Sequence, residues 1–191
     1  MLAYKVLSEG RSRFTGWAWP LPDGDRPGAW VQASGPLQLA ANGVHACTVA
    51  QLPQWLGAEM WRIELDGEIV ETEPALLAAR GRLLARVAEW DRDAQVAFGQ
   101  ACAERARSLS RDVPDGEQAL EKIERFARLG RAAPTGYWTA VLAGQRAGGR
   151  RSGPEYDEAF AQERAAQAAW LQSELSLSAR LAPQRPERVD E

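Results

Sequence analysis

The hydrophobic period of this chain changes once, near Trp90, and that change constrains the fold more than any other feature. Before it, apolar and polar residues alternate. The clearest case is "EMWRIELDGEIVET", where Trp61, Ile63 and Leu65 stand in phase against Arg62, Glu64 and Asp66. After it, apolar residues recur three and four positions apart among Ala, Arg, Glu and Gln. A strand-rich segment followed by a helix-rich one predicts an α+β fold. The expected organisation is a small twisted sheet domain over residues 1–89, then an α-helical domain of about four helices over 90–181. The last residues, 182–191, are charged, carry two prolines and are expected to be disordered.

Within the first part, "LAYKVL" reads as a strand with Tyr4 facing away from Ala3 and Lys5. "PDGD" marks a turn, and Trp17 and Trp19 share a face if their segment is extended. "TVAQLPQWLG" reads as a short helix with Thr48 as N-cap and Gln51 at the capping-box position. Asp66-Gly67 is either a hairpin turn or a bulge within one long strand. "ARGRLLARVAEW" is helical in composition but alternates at Leu83, Ala85 and Val87, so residues 80–89 fit strand or helix.

In the second part, a helix from about Trp90 to Ser110 carries Phe98 and Cys102 on its apolar stripe. Asp115 is the expected cap of the next helix, whose Leu120, Ile123 and Ala127 face inward. A short third helix carries Tyr137 and Trp138. "AGGRRSGPE" is a flexible link, and a Ser152–Glu155 capping box starts a long last helix with Tyr156, Ala159, Phe160, Ala166, Trp170 and Leu171 along one side.

Charge and cysteine usage limit the function classes. The net charge of −3 argues against a general affinity for nucleic acid or anionic membranes. Of the 23 basic residues, 21 are arginine, interspersed with acids rather than clustered. No apolar stretch approaches the ~18 residues of a membrane span. "MLAYKVLSEG" lacks the basic start and long apolar run of a leader. Two cysteines in separate, apolar contexts are expected to be free thiols in a reducing compartment, so a cytoplasmic location is expected.

The chemistry-bearing stretch is "NGVHAC", with the only histidine, His45, two residues before Cys47. On a strand the two share a face. They supply two of the four ligands of a closed zinc site, and only Cys102 and carboxylates remain, so no metal site is expected. A Cys–His nucleophile pair normally draws its partners from different elements. His45 as a hydrogen-bonding or basic group lining a pocket is another reading. The simplest is a packed histidine with both ring nitrogens bonded to backbone. Trp17, Trp19 and Trp30 lie in loop-like sequence, where they can wall a flat ligand or fill a thin core.

"AYKVL", "FTGWAW", "NGVHAC", "LPQWLGAEMWRIELDGEIVE" and "RGRLLARVAEW" together resemble a family of bacterial proteins of unknown function common in actinobacteria, over roughly residues 2 to 90. A broader pattern, a strand and short helix followed by a strand ending in Glu-x-Asp-Gly, is similar to ADP-ribosyltransferase-like folds. That resemblance implies NAD or a nucleotide near Tyr4, His45 and Trp61. Its implied candidate catalytic residues are His45, Tyr4 and Glu64, and the candidate ligand-binding residues are Lys5, Trp17, Trp19, Cys47 and Trp61. Neither an Arg…Ser-x-Ser…Glu-x-Glu set nor a His…Tyr…Glu set is present. The first expectation is therefore a non-catalytic binding or scaffold module without cofactor, whose helical half meets a protein partner or a second copy of itself. An NAD-binding enzyme or relic is the alternative.

Overall fold

The computed structural model describes residues 1–149 and 152–177; the tail expected at 182–191 and the Arg150-Arg151 centre of the Gly-rich link lie outside them. The fold is α+β, a five-stranded antiparallel sheet followed by helices. The strands are β1 (Leu2–Leu7), β2 (Val31–Gln32), β3 (Val44–Ala46), β4 (Glu59–Glu71) and β5 (Leu76–Arg86). A four-residue helix α1 (Leu52–Trp55) interrupts them, and α2 (Arg92–Leu109), α3 (Gly116–Arg128), α4 (Ala132–Gly148) and α5 (Pro154–Glu174) follow.

The alternating stretch is β4, and it forms a long hairpin with β5. The turn lies at Thr72–Ala75, where the Thr72 N–H donates to the Ala75 carbonyl at 2.9 Å. Asp66-Gly67 is thus no hairpin turn. The register shifts between Asp66 and Ile69, and Gly67 adopts φ +77°, a backbone that a side chain at this position would strain. Residues 76–86 resolve as strand. β1 pairs with β4 on one side, while β2 and β3 share the outer edge of β5, β3 placing His45 opposite Leu77. Just beyond β3, Cys47 and Tyr4 exchange two backbone hydrogen bonds of 2.8 and 2.9 Å. The sheet therefore curls until its margins meet, and both edges of β1 are paired there.

Two apolar clusters follow from the alternation. On one face of the sheet, Ala3, Leu7, Val44, Ile63, Leu65, Ala78 and Leu83 pack together with Trp19 and Trp61. On the other, Tyr4, Cys47, Leu52, Leu56, Met60 and Val87 pack against Trp90, Phe98, Cys102, Ala132 and Leu171. That second cluster crosses residue 90, so the helices cover the sheet. Trp90, Phe98 and Trp170 meet edge to face, with centroids 6.1 and 5.4 Å apart.

Several helix ends differ from those the sequence suggests. Thr48 starts a turn rather than a helix, but Gln51 makes half of the expected box, its Oε1 accepting the Thr48 N–H at 2.9 Å. Asp115 takes a left-handed backbone, and its side chain caps nothing. α5 starts at Gly153-Pro154 without a side-chain cap. α4 is long, at 17 residues, because its buried surface includes small residues and threonines as well as large apolar ones. The side of α5 turned inward keeps only part of the expected stripe, with Leu171 buried and Trp170 packed against the core. Ala166 is exposed, while Glu163, Arg164 and Gln167 are buried.

Candidate functional site

A cavity of about 690 Å³ opens beside β1 and β3. β1 contributes Lys5 and β3 contributes Val44, His45 and Ala46, with Cys47 just beyond. The 12–19 loop brings Ser12, Arg13, Phe14, Trp17 and Trp19, the 39–43 loop brings Leu39, Ala40 and Gly43, and α1 brings Trp55. Large apolar side chains stand exposed at its mouth: Phe14 is 81% exposed, Trp17 46% and Leu39 44%. The walls are aromatic. Trp17 meets Trp19 edge to face at 5.3 Å, and Phe14 meets Trp55 in the same way at 6.0 Å. The Trp19 indole N–H donates to Ser12 Oγ at 2.9 Å, which fixes the ring within its loop.

Lys5 lies on the face of β1 that carries Ala3 and Leu7. Its ammonium donates to the His45 carbonyl at 2.6 Å and sits 4.9 Å from the centre of the Trp19 ring. Burial pulls its pKa down to about 8. Burial pushes Cys47 the other way, to about 12, against the pull of the Lys5 charge. Cys47 is therefore a neutral thiol at physiological pH and a poor nucleophile. Cys47 and Cys102 are both free and buried.

His45 uses both ring nitrogens on backbone. The Ala40 N–H donates to Nε2 at 3.1 Å, and Nδ1 lies 3.0 Å from the Gly43 carbonyl. An accepting Nε2 requires the proton on Nδ1, which donates to Gly43. Burial lowers the His45 pKa, opposed by the Gly43 bond and reinforced by the Lys5 charge. The neutral ring thus pins the 38–43 loop, where Ala40 has φ +62° and Gly43 φ +134°.

Compared with known proteins, the chain matches no family model, no curated protein and no solved structure.

Of the candidates read from the sequence, Lys5, Trp17, Trp19, His45 and Cys47 come together at the cavity. Tyr4, Trp61 and Glu64 do not line it. Tyr4 points into the cluster shared with the helices, and Trp61 packs in the opposite one. Glu64 pairs with Arg82 across β4 and β5 at 2.7 Å. Strand alternation causes the split: Tyr4 and Lys5 are adjacent, so they face opposite sides. Arg13, Phe14 and Leu39 went unread because they sit in loops without period. The only signal was the density of aromatic residues around "FTGWAW". Among the described residues, no group of three His, Cys, Asp or Glu side chains is placed to hold a metal ion, and no helix is long and apolar enough to cross a membrane.

Proposed function

We propose that the chain is a non-catalytic binding module and that its ligand, a small and largely apolar molecule, is held in the aromatic cavity beside β1 and β3. The observation that carries this reading is the cavity itself, about 690 Å³ with aromatic walls and exposed apolar side chains at its mouth. That volume is within the usual range for small-molecule sites, ~300–1,000 Å³. The groups near its polar end suit holding better than reaction: a neutral thiol, an imidazole committed to two backbone bonds, and an ammonium. The two free thiols fit a reducing, cytoplasmic setting. Contact of the helical half with a protein partner or a second copy is a further part of the proposal, supported by Leu129 and Tyr137, which stand 50% and 47% exposed.

A thermal-shift panel of bicyclic aromatic compounds, NAD, free nucleotides and divalent metals tests the cavity. A bicyclic aromatic at a hundred times its Kd should stabilise the fold by about 2.7 kcal/mol, and Trp17→Ala should weaken that effect. No shift with any aromatic compound would overturn the reading. A shift with NAD that Trp17→Ala leaves intact would favour the nucleotide alternative.

A further inference from the structure

We infer that the cavity selects flat aromatic monocarboxylates, the carboxylate seated on the Lys5 ammonium and the ring held among Trp17, Trp19 and Phe14. This rests on the cavity reading above and adds the charge of the ligand. The cavity is lined by two cations, Lys5 and Arg13, and by no Asp or Glu. Among the described residues, Lys5 has no carboxylate within ion-pair distance. Its Nζ makes one hydrogen bond to protein, to the His45 carbonyl, and rests against the Trp19 ring. An ammonium has three N–H donors, so further donors are available to a ligand. A partly buried cation costs free energy unless an anion joins it. An anion arriving with an apolar body supplies that partner and fills the aromatic walls at once.

The number of charges follows from the cations. Arg13 is exposed and already donates to the Leu56 carbonyl at 2.9 Å, which leaves Lys5 as the inner charge. One inner ammonium matches a monoanion better than a phosphate dianion. The shape follows from the walls, where two edge-to-face aromatic pairs offer ring faces and edges to a planar body.

The test is calorimetric binding of 2-naphthoate, its neutral isostere 2-naphthamide, and 2-naphthyl phosphate to the full chain. At pH 7, 2-naphthoate should bind at least tenfold more tightly than 2-naphthamide. Because Lys5 loses its proton above about pH 8 in the free protein, that preference should shrink about tenfold per pH unit above it. Lys5→Met should abolish the preference while changing 2-naphthamide affinity little. Equal affinity for acid and amide, or a preference that survives in Lys5→Met, would overturn the inference and leave the cavity reading standing. Tighter binding of the phosphate would overturn the assignment to monocarboxylates. Binding of none of the three would overturn both. Should Lys5→Met fail to fold, Lys5→Gln is read in the same way: a preference for the acid that survives it counts against Lys5.

Discussion

His45 holds a loop by its ring. Replacing it with alanine leaves the Ala40 N–H and the Gly43 carbonyl without their ring partner and frees two left-handed positions to relax. His45→Ala should cost roughly 1 kcal/mol in a denaturation curve, the net worth of hydrogen bonds that are exposed or only part-buried. Hydrogen exchange at the Ala40 amide should speed up in the same variant. A variant as stable as its parent would show that the loop holds itself. Lys5 and the two thiols make a second residue-scale prediction. The folded-state pKa of Lys5, about 8, is below its ordinary 10.5, so between those values the unfolded chain binds the extra proton and stability rises with pH. Cys47 and Cys102 are raised from 9.0 to about 12, so above pH 9 the unfolded chain releases their protons first and stability falls. One group acts between pH 8 and 9, at up to about 1.4 kcal/mol per pH unit, and two oppose it above. Stability should therefore peak near pH 9, and Lys5→Met should lose the rising limb. A parent that shows no rise there would contradict the burial of this ammonium.

Among the elements, β4 was legible and β5 only half so, for one physical reason. β4 has clean alternation because Arg62, Glu64 and Asp66 reach solvent while Ile63 and Leu65 do not. β5 starts with Leu76, Leu77 and Ala78 all buried, since one face meets the inner cluster and the other is covered as well. Beyond them Leu83 is buried between half-buried Arg82 and Leu84, so alternation is present, but the Ala, Arg and Leu composition points equally to helix. α5 was legible in part, at Trp170 and Leu171. Its buried side includes a polar chain that an apolar template cannot detect. Arg105 holds both oxygens of Glu163, and Gln167 donates to Glu163 and to the Gly136 carbonyl, each at 2.9 Å. Arg164 donates to Gln167 at 3.0 Å and to the Pro53 carbonyl at 2.9 Å. Glu163 is the hub, buried while Arg105 is partly exposed. Glu163→Ala should cost about 1.5–3 kcal/mol, the usual range for hydrogen bonds to a charged group, because the remaining Arg105 keeps access to water. A double-mutant cycle with Arg105→Ala should show coupling well above the ~0.5 kcal/mol of independent sites. Additive losses would mean that the two side chains are neighbours without being partners. The cavity was legible where strands set it, at Lys5, His45 and Cys47, and not where loops complete it. Which loop folds over which strand depends on the closure between Cys47 and Tyr4, which no local pattern encodes.

The whole molecule rests on the cluster that crosses residue 90. Leu171, Leu175 and Leu177 belong to it alongside Tyr4, Leu52 and Leu56. Removing residues 154–191 strips that cover, together with the Arg164 bond to the Pro53 carbonyl. The truncated chain should bind a hydrophobic dye, lose its cooperative transition and aggregate. A monodisperse truncation with an unchanged midpoint would show that α5 is an appendage. Solvent exposure of Cys102, measured as its labelling rate, offers a second readout, because this thiol is fully buried in the full chain.

The same cluster has a consequence for how the protein is made. Synthesis runs from the N-terminus, and β1 is translated more than 160 residues before Leu171. Every strand is complete by Arg86, so hairpin pairing can begin while the ribosome is still at work. Yet Leu52, Leu56, Met60 and Val87, all fully buried in the finished fold, have no final helix to lie under until α5 has left the exit tunnel. Until then that side of the nascent sheet is only partly covered, by α2 and the start of α4. A slowed ribosome over residues 154–177 would lengthen that exposure.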